Sequence, residues 1–236
     1  MPRFFVAQEQ IPVITGADVH HIRDVLRLKI GDKLELSDGA GKIYEARISQ
    51  IKKTEIICGI IASHQAESEP LAKVTLAQAL PKGQKMDFVI EKGVELGVDR
   101  IIPVVTERTI GKKAKLDRWR KLAKEAAEQS GRAIIPEISP PASFDEVLKM
   151  QPDFDLALIP WELEKDNSLK EILSSSKAQN TNYKILILIG PEGGFSHQEI
   201  DQAKAAGFQS VSLGKRILRT ETAGLAALAA IIYELG

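Results

Sequence analysis

An α/β architecture is predicted by three observations. From Lys73 onward, short apolar strand runs alternate with amphipathic helical runs, the rhythm of a mostly parallel sheet covered on both faces. Before that, runs of period-two alternation joined by tight turns suggest a small β-barrel. Between the two lies Ser63-His64-Gln65-Ala66-Glu67-Ser68-Glu69-Pro70, which is polar, aperiodic and closed by proline, and reads as a linker. The predicted domains are therefore 1–70 and 71–236.

In the first domain, residues 18–29 put Val19, Ile22, Val25 and Leu26 at helical spacing, with Asp18 placed to cap and Gly31-Asp32 as the stop. Alternation follows at Leu34 and Leu36, then Tyr44, Ala46 and Ile48, then Ile56, Cys58 and Ile60. The Asp38-Gly39 step between the first two runs predicts a hairpin. In the second domain, strands are expected at 74–80, 101–106, 134–138, 156–160, 185–189 and 211–213. Helices are expected along Met86, Val89, Ile90 and Val94, over 117–130 with Trp119, Leu122, Ala123 and Ala126 inward, and near 144–150, 168–173 and 198–206. A last helix over 222–235 is apolar almost all round, so it must be covered on more than one side, in the core or by a second subunit.

The sharpest local feature is the run Ile185-Leu186-Ile187-Leu188-Ile189-Gly190-Pro191-Glu192-Gly193-Gly194-Phe195-Ser196. A buried strand enters a glycine-rich turn, and Ser196 with Glu199 has capping-box spacing for the next helix. Such a turn either lets a ligand approach the backbone or serves only its own geometry. Alone it supports both. A second strand ending in glycine, Val211-Ser212-Leu213-Gly214, runs into Lys215-Arg216-Ile217-Leu218-Arg219-Thr220-Glu221-Thr222-Ala223. If the two strands are neighbours, their loops form opposite walls of one pocket, which favours a nucleotide-like ligand. The P-loop pattern fails, because six residues, not four, separate Gly207 from Gly214 and Arg216 stands where a hydroxyl residue belongs. Gly190 to Gly194 does not give Gly-x-Gly-x-x-Gly either. Backbone amides and carbonyls without a phosphate cradle suit an adenosyl group.

Composition sets the outer bounds. The chain has 236 residues, 44% apolar and 27% charged, with 32 Lys+Arg against 32 Asp+Glu. That is a globular composition, not a disordered one. No apolar run is long and clean enough for a bilayer span, and residues 1–13 lack a signal peptide's apolar core, so a soluble, cytoplasmic protein is expected. One cysteine permits no internal disulfide, and the four histidines lack metal-ligand spacing, so no metal is expected. A net charge of zero conceals local excess. Residues 107–132 hold nine cations against four carboxylates, residues 137–182 hold nine carboxylates against four cations, and residues 204–219 hold four cations and no carboxylate. A basic stretch is usually a solvated helix face, but beside a pocket it becomes a phosphate-tracking surface.

These residues also carry a family resemblance. The motifs are His21-Ile22-x2-Val25-Leu26-Arg27 with Gly31-Asp32, Gln78-Ala79-Leu80-x-Lys82-Gly83, Met86-Asp87, Glu95-Leu96-Gly97-Val98, Glu107-Arg108 and Glu125-Ala126-Ala127-Glu128-Gln129-Ser130. The 189–196 loop and Leu213-Gly214-x-Arg216-Ile217-Leu218-Arg219-Thr220-Glu221-Thr222-Ala223 complete the set. Over essentially its whole length the chain resembles the ribosomal RNA small subunit methyltransferase E family, with Val94 where that family has Thr. The resemblance implies a PUA-like β-barrel followed by a SPOUT-type parallel sheet with a C-terminal trefoil knot, and a homodimer. It implies S-adenosylmethionine-dependent methylation of N3 of a uridine in 16S rRNA of the small ribosomal subunit. The cofactor would be held by Leu188, Gly190, Pro191, Gly193, Leu213, Gly214, Ile217, Leu218, Thr222 and Ala223. Arg219 is expected to orient the base and Glu221 to accept its proton, or the two pair with each other and hold the loop. RNA contacts are expected from Arg3, Arg23, Arg27, Lys112, Lys113, Lys115 and Arg118. The competing expectation is a non-catalytic RNA-binding ribosome-assembly protein.

Overall fold

Period-two alternation puts one face of a strand on a core. Accordingly β1 (Arg3–Phe5), β2 (Val13–Thr15), β3 (Lys33–Ser37), β4 (Lys42–Ile51) and β5 (Glu55–Gln65) bury Phe4, Ile14, Leu34, Leu36, Ala46, Ile48, Ile56 and Cys58 in one cluster. The strands form one sheet in the order β1-β3-β4-β5-β2, antiparallel except for the β1–β3 pair. Register shifts in the β4–β5 ladder at Glu45/Ala46 and Ile48/Gln50 add twist, which curls the sheet around its core. Burial pushes the Cys58 thiol up to about 11, as expected of an inert core residue. The predicted hairpin forms at residues 38–41, where the Asp38 carboxylate accepts the N–H groups of Ala40 and Lys42.

The computed structural model describes residues 1–110, 114–175 and 183–235. The chain divides into two units, Met1–Glu69 with Lys124–Ile135, and Pro70–Ala123 with Pro136–Gly236. The first unit thus includes a segment that the sequence reading assigns to the second domain. The physical reason is a set of charges within that unit. Glu69 accepts Arg132 Nη2 at 2.6 Å and the backbone N–H of Ala133 at 2.9 Å, and Lys124 Nζ donates to Asp18 at 2.9 Å. Two local expectations change with it. The helix expected over 18–29 is only α1 (Ala17–His20) plus one wide turn, His21–Val25, and Asp18 answers Lys124 instead of capping. Val25 and Leu26 are exposed, so of the spaced apolar residues only Val19 and Ile22 reach the core. The expected linker is shorter, because β5 runs on through Gln65.

The second unit contains β6 (Lys73–Ala79), α2 (Lys85–Glu95), β7 (Arg100–Val105), the first half of α3 (Leu116–Ser130), β8 (Glu137–Ile138), β9 (Ala142–Ser143), α4 (Phe144–Lys149), β10 (Leu156–Pro160), α5 (Leu169–Ser175), β11 (Lys184–Ile189), α6 (His197–Ala205), β12 (Gln209–Val211) and α7 (Thr220–Leu235). The sheet order is β12-β10-β11-β6-β7-β8, with β9 pairing β7 farther along, and every pair is parallel. Ile185, Leu186, Ile187 and Leu188 of β11 are fully buried, as a strand covered on both faces requires. One face packs Ala157, Ile159, Leu186 and Leu188 against Phe144, Val147, Ile200 and Ala203 of α4 and α6. On the other face α7 lies on β6 and β11 and also touches α2 and α5. Two predicted strands shrink or shift: 134–138 is reduced to β8, and 211–213 becomes β12 with Ser212 making only a bridge to Ser168. In α7, Gly224, Ala227, Leu228 and Ile231 are covered by the chain itself, whereas Tyr233 is 89% exposed and Ala226 and Ala230 face outward. Among the described residues no helix is long and apolar enough to cross a membrane.

The Glu69 site gives a stability test within the first unit. Burial works to raise its carboxyl pKa, but the Arg132 guanidinium and two backbone N–H groups hold it below the ordinary glutamate range. A depressed folded-state pKa means that the stabilisation is present above the unfolded value and is lost as pH falls through the folded one. Glu69→Gln should cost about 2–3 kcal/mol at neutral pH in urea unfolding, because it replaces the charge-assisted hydrogen bonds between Glu69 and the nearly buried Arg132 with weaker neutral ones. The variant should also lose the corresponding acid dependence of the midpoint.

Candidate active site

In parallel sheets ligands gather beyond the carboxyl ends of the strands. There the connections after β10, β11 and β12 enclose a cavity of about 430 Å³, within the range of small-ligand sites. The lining comes from Pro160 at the end of β10 with Trp161 and Glu162 after it, from Ile189 at the end of β11 with Gly190, Pro191, Glu192, Gly194 and Phe195 after it, and from residues 212–219 after β12, which lead into Thr220 and Ala223 of α7. The two glycine loops do share one pocket, but their strands are not neighbours. β10 lies between β11 and β12, so its end, with Trp161 and Glu162, contributes a third wall.

Local sequence explains why the loops hold their shape. Ser196 and Glu199 form the full capping box of α6, which fixes where the first loop ends. Gly194 and Gly214 have φ of +65° and +108°, conformations that side-chain-bearing residues rarely adopt. The start of α7 is tied to both β6 and the first loop. Thr220 donates its hydroxyl to the Gly190 carbonyl at 2.5 Å and accepts Gln78 Nε2 at 2.8 Å. This requires α7 to approach the sheet closely. A Cβ on Gly224 would meet Gln78 Oε1 at 2.6 Å and Leu76 at 3.4 Å, so glycine is what permits the approach.

The sequence-derived site residues divide clearly. Gly190, Pro191, Leu213, Gly214, Ile217, Leu218 and Ala223 line the cavity, as does Arg219. Leu188 does not, because strand alternation turns it into the core beneath α4 and α6 and gives the lining position to Ile189. Gly193 is instead covered by Arg108, whose Nη1 donates to the Gly193 carbonyl at 2.9 Å. Thr222 lies on the exposed side of α7. Arg219 and Glu221 do not pair with each other. Glu221 takes Lys85 Nζ at 3.1 Å, and Lys85 lies 3.9 Å from Glu192 as well. Burial opposes the Glu221 charge, but its own backbone N–H, Lys85 and Arg219 hold its carboxyl below the usual range. Lys85, Thr220, Trp161 and Glu162 are site residues that the sequence reading missed. Of these, Thr220 carries a signal through its place in the Arg219-to-Thr222 run, and Trp161 as an aromatic residue that packing or base stacking would use.

The lining fits an adenosyl-type ligand held by backbone and apolar side chains. Ile189, Leu213, Ile217 and Leu218 supply the apolar surface, and the buried Trp161 Nε1 has no hydrogen-bond partner among the described residues. The expected RNA-binding cations fare unevenly. Arg3 is nearly buried, paired with Glu35 and bonded to the Gly131 carbonyl, so it is structural and not a surface contact. Arg23 pairs with Asp24 and stays exposed, and Arg27 is exposed with a left-handed backbone. Lys115 is exposed, Arg118 pairs with Asp87 while 61% exposed, and Lys112 and Lys113 lie outside the described residues.

Comparison with known proteins agrees with this arrangement. A family model described as RNA methyltransferase domain matches residues 67–232, and one described as RNA methyltransferase PUA domain matches residues 14–61. The ribosomal RNA small subunit methyltransferase E of Bacillus subtilis (strain 168) is 35% identical, covering 99% of this chain and 97% of its own. Among solved structures, the enzyme of the same name from Neisseria gonorrhoeae, bound to S-adenosyl methionine, is 37% identical with a TM-score of 0.87, covering 98% of this chain and 96% of its own. A probable rRNA-methyltransferase from Porphyromonas gingivalis is 31% identical with a TM-score of 0.89, covering 100% and 98%.

The Thr220 tie is testable without any ligand. Thr220→Val removes the donor to the Gly190 carbonyl and the acceptor for Gln78 together. It should destabilise the protein by about 1–3 kcal/mol and speed amide hydrogen exchange in the 190–195 loop relative to β11. Unchanged exchange there would show that the loop holds itself.

Proposed function

The chain belongs to the ribosomal RNA small subunit methyltransferase E family, and on that premise we propose that it transfers a methyl group from S-adenosylmethionine to N3 of a uridine in 16S rRNA. The observation that supports this reading is that both glycine loops and the Ile217-Leu218 turn line one shared cavity. When bound, S-adenosylmethionine supplies an electrophilic methyl, whose S–C bond breaks as the bond to N3 forms. The backbone of Gly190, Leu213 and Gly214 and the side chains of Ile189, Ile217 and Leu218 hold the adenosyl part and fix the line of attack, and alignment alone can lower such a barrier substantially. Arg219, at the cavity wall, faces the developing negative charge on the uracil oxygens. Glu221, kept ionised, takes the N3 proton, a role worth roughly 10²–10⁴-fold. The target base has to leave any stack to reach the cavity.

Partner calls follow the same premise. Residues 1–70 act as a PUA-like RNA-binding domain and 71–236 as the methyltransferase domain, with the Lys124–Ile135 segment packing in the first unit. The exposed Arg23, Arg27, Lys115 and Arg118, with Lys112 and Lys113, track the RNA backbone. The outward face of α7, with Ala226, Ala230 and Tyr233, supports a homodimer, since an apolar helix half covered by its own chain needs a second cover. The pinning of α7 against β6 and the first glycine loop supports the threaded chain end implied by the family resemblance. An rRNA substrate puts the protein in the cytoplasm with the ribosome.

Two measurements test this reading. Arg219→Ala should bind S-adenosylmethionine within a few-fold of wild type by calorimetry, yet transfer labelled methyl to 30S subunits on the order of 10²-fold more slowly. Normal transfer would remove Arg219 from the chemistry, and no transfer by the wild-type protein would favour a non-catalytic assembly role. RNA affinity should fall with added salt, and Lys115→Glu should reduce the slope of log affinity against log salt by about one.

A further inference from the structure

Lys85 occupies an electrostatically unfavourable place. It is the first residue of α2, where the helix dipole disfavours a cation, and Gln84 before it provides no side-chain cap. Such a local conflict needs a compensating contact, and two carboxylates provide one. Lys85 Nζ lies 3.1 Å from one oxygen of Glu221 and 3.3 Å from the other, and 3.9 Å from Glu192. Glu192 in turn accepts the Lys82 backbone N–H at 2.9 Å. Lys85 lines the cavity and is about one-third exposed, whereas the Glu221 side chain is only 13% exposed. The connection after β6, the first glycine loop and the start of α7 therefore meet at one ammonium group.

We propose that Lys85 is a positioning residue of the transfer reaction, acting through Glu221: from the cavity lining it fixes the Glu221 carboxylate beside the cavity and ties it to the glycine loop through Glu192. This inference rests on the reading of Glu221 as the proton acceptor. In the transfer, the N3 proton passes to Glu221 as N3 takes the methyl and the sulfur leaves as a neutral thioether, so Lys85 gains and loses nothing. Its contribution is to the charge state and place of the acceptor. The charged groups facing Glu221 are Lys85 from α2, Glu192 from the glycine loop, through Lys85, and Arg219 from its own approach loop. Without Lys85 the burial cost of the Glu221 charge remains, Glu192 loses its screening cation, and only Arg219 and Glu221's own backbone N–H oppose them. Glu221 then protonates at higher pH. Since the ionised form is the acceptor, activity is lost as pH falls, and the acid limb of the rate profile moves upward.

The test uses the full-length protein with Lys85→Met, Lys85→Arg and Glu221→Gln. Carbon-13 titration of glutamate carboxyls in the cofactor-free protein, with Glu221 assigned through Glu221→Gln, should show Glu221 titrating at higher pH in Lys85→Met and at its wild-type position in Lys85→Arg. The methyl-transfer rate of Lys85→Met should fall about ten- to a hundredfold at the acid end and recover toward alkaline pH, with S-adenosylmethionine affinity within a few-fold of wild type. Should Lys85→Met fail to fold, Lys85→Gln, which keeps a donor but no charge, should give the same displaced titration. An unmoved Glu221 titration, or a rate loss uniform across pH, overturns the role of Lys85. Wild-type transfer by Glu221→Gln instead overturns the assignment of Glu221 as acceptor, whatever Lys85 does to its titration.

Discussion

The close approach of α7 to the sheet is the constraint on which the site depends. Gly224 has no side chain, so the helix can settle where a Cβ would collide with Gln78. Only at that depth can Thr220 bond the Gly190 carbonyl while accepting from Gln78. The same depth brings Ala223 and Thr220 into the cavity lining and sets Glu221 opposite Lys85. A buried acceptor without a hydrogen-bond partner among the described residues, Gln78 Oε1, is the cost of this fit. A helix one side chain farther from β6 and β11 would leave the two glycine loops without a common wall.

Electrostatics refine what packing places. Lys85 joins Glu221 and Glu192, and against the cost of burial Glu221's own backbone N–H, Lys85 and Arg219 together hold the Glu221 carboxyl below its usual range. Arg108 performs a neighbouring task by bonding the Gly193 carbonyl, and thereby covers a glycine that could otherwise have served as lining. Residues that looked like ligand contacts in the sequence thus divide into those that touch the cavity and those that hold its walls.

How far the sequence reveals this depends on the range of each interaction. Strand–helix alternation, the capping box at Ser196 and Glu199 and the glycine turns are local, and they were legible because each is encoded within a few residues. The placement of β10 between β11 and β12 was not, since strand order is decided by distant packing. Leu188 and Ile189 are adjacent in the motif, and which of them faces the cavity is decided by the face of the strand each side chain takes, not by the motif. Lys85 was invisible for a stronger reason. Its partners Glu192 and Glu221 are 107 and 136 residues away, and at the first turn of a helix it reads as a propensity error until those carboxylates are seen. The segment Lys124–Ile135 escaped the domain boundary in the same way, because its ties to Asp18 and Glu69 are long-range ion pairs.

The balanced composition acquires a meaning at the cavity. The carboxylate-rich segment 137–182 contributes Glu162 at the end of β10, and the cation-only segment 204–219 contributes Lys215, Arg216 and Arg219 on the loop that leads into α7. A site that takes a cationic methyl donor together with a polyanionic RNA needs both signs within one ligand's width. A uniformly basic wall would repel the sulfonium, and a uniformly acidic one would repel the RNA backbone. Segregating the two signs onto different strand ends meets both demands, and a sum of zero over the chain conceals that segregation.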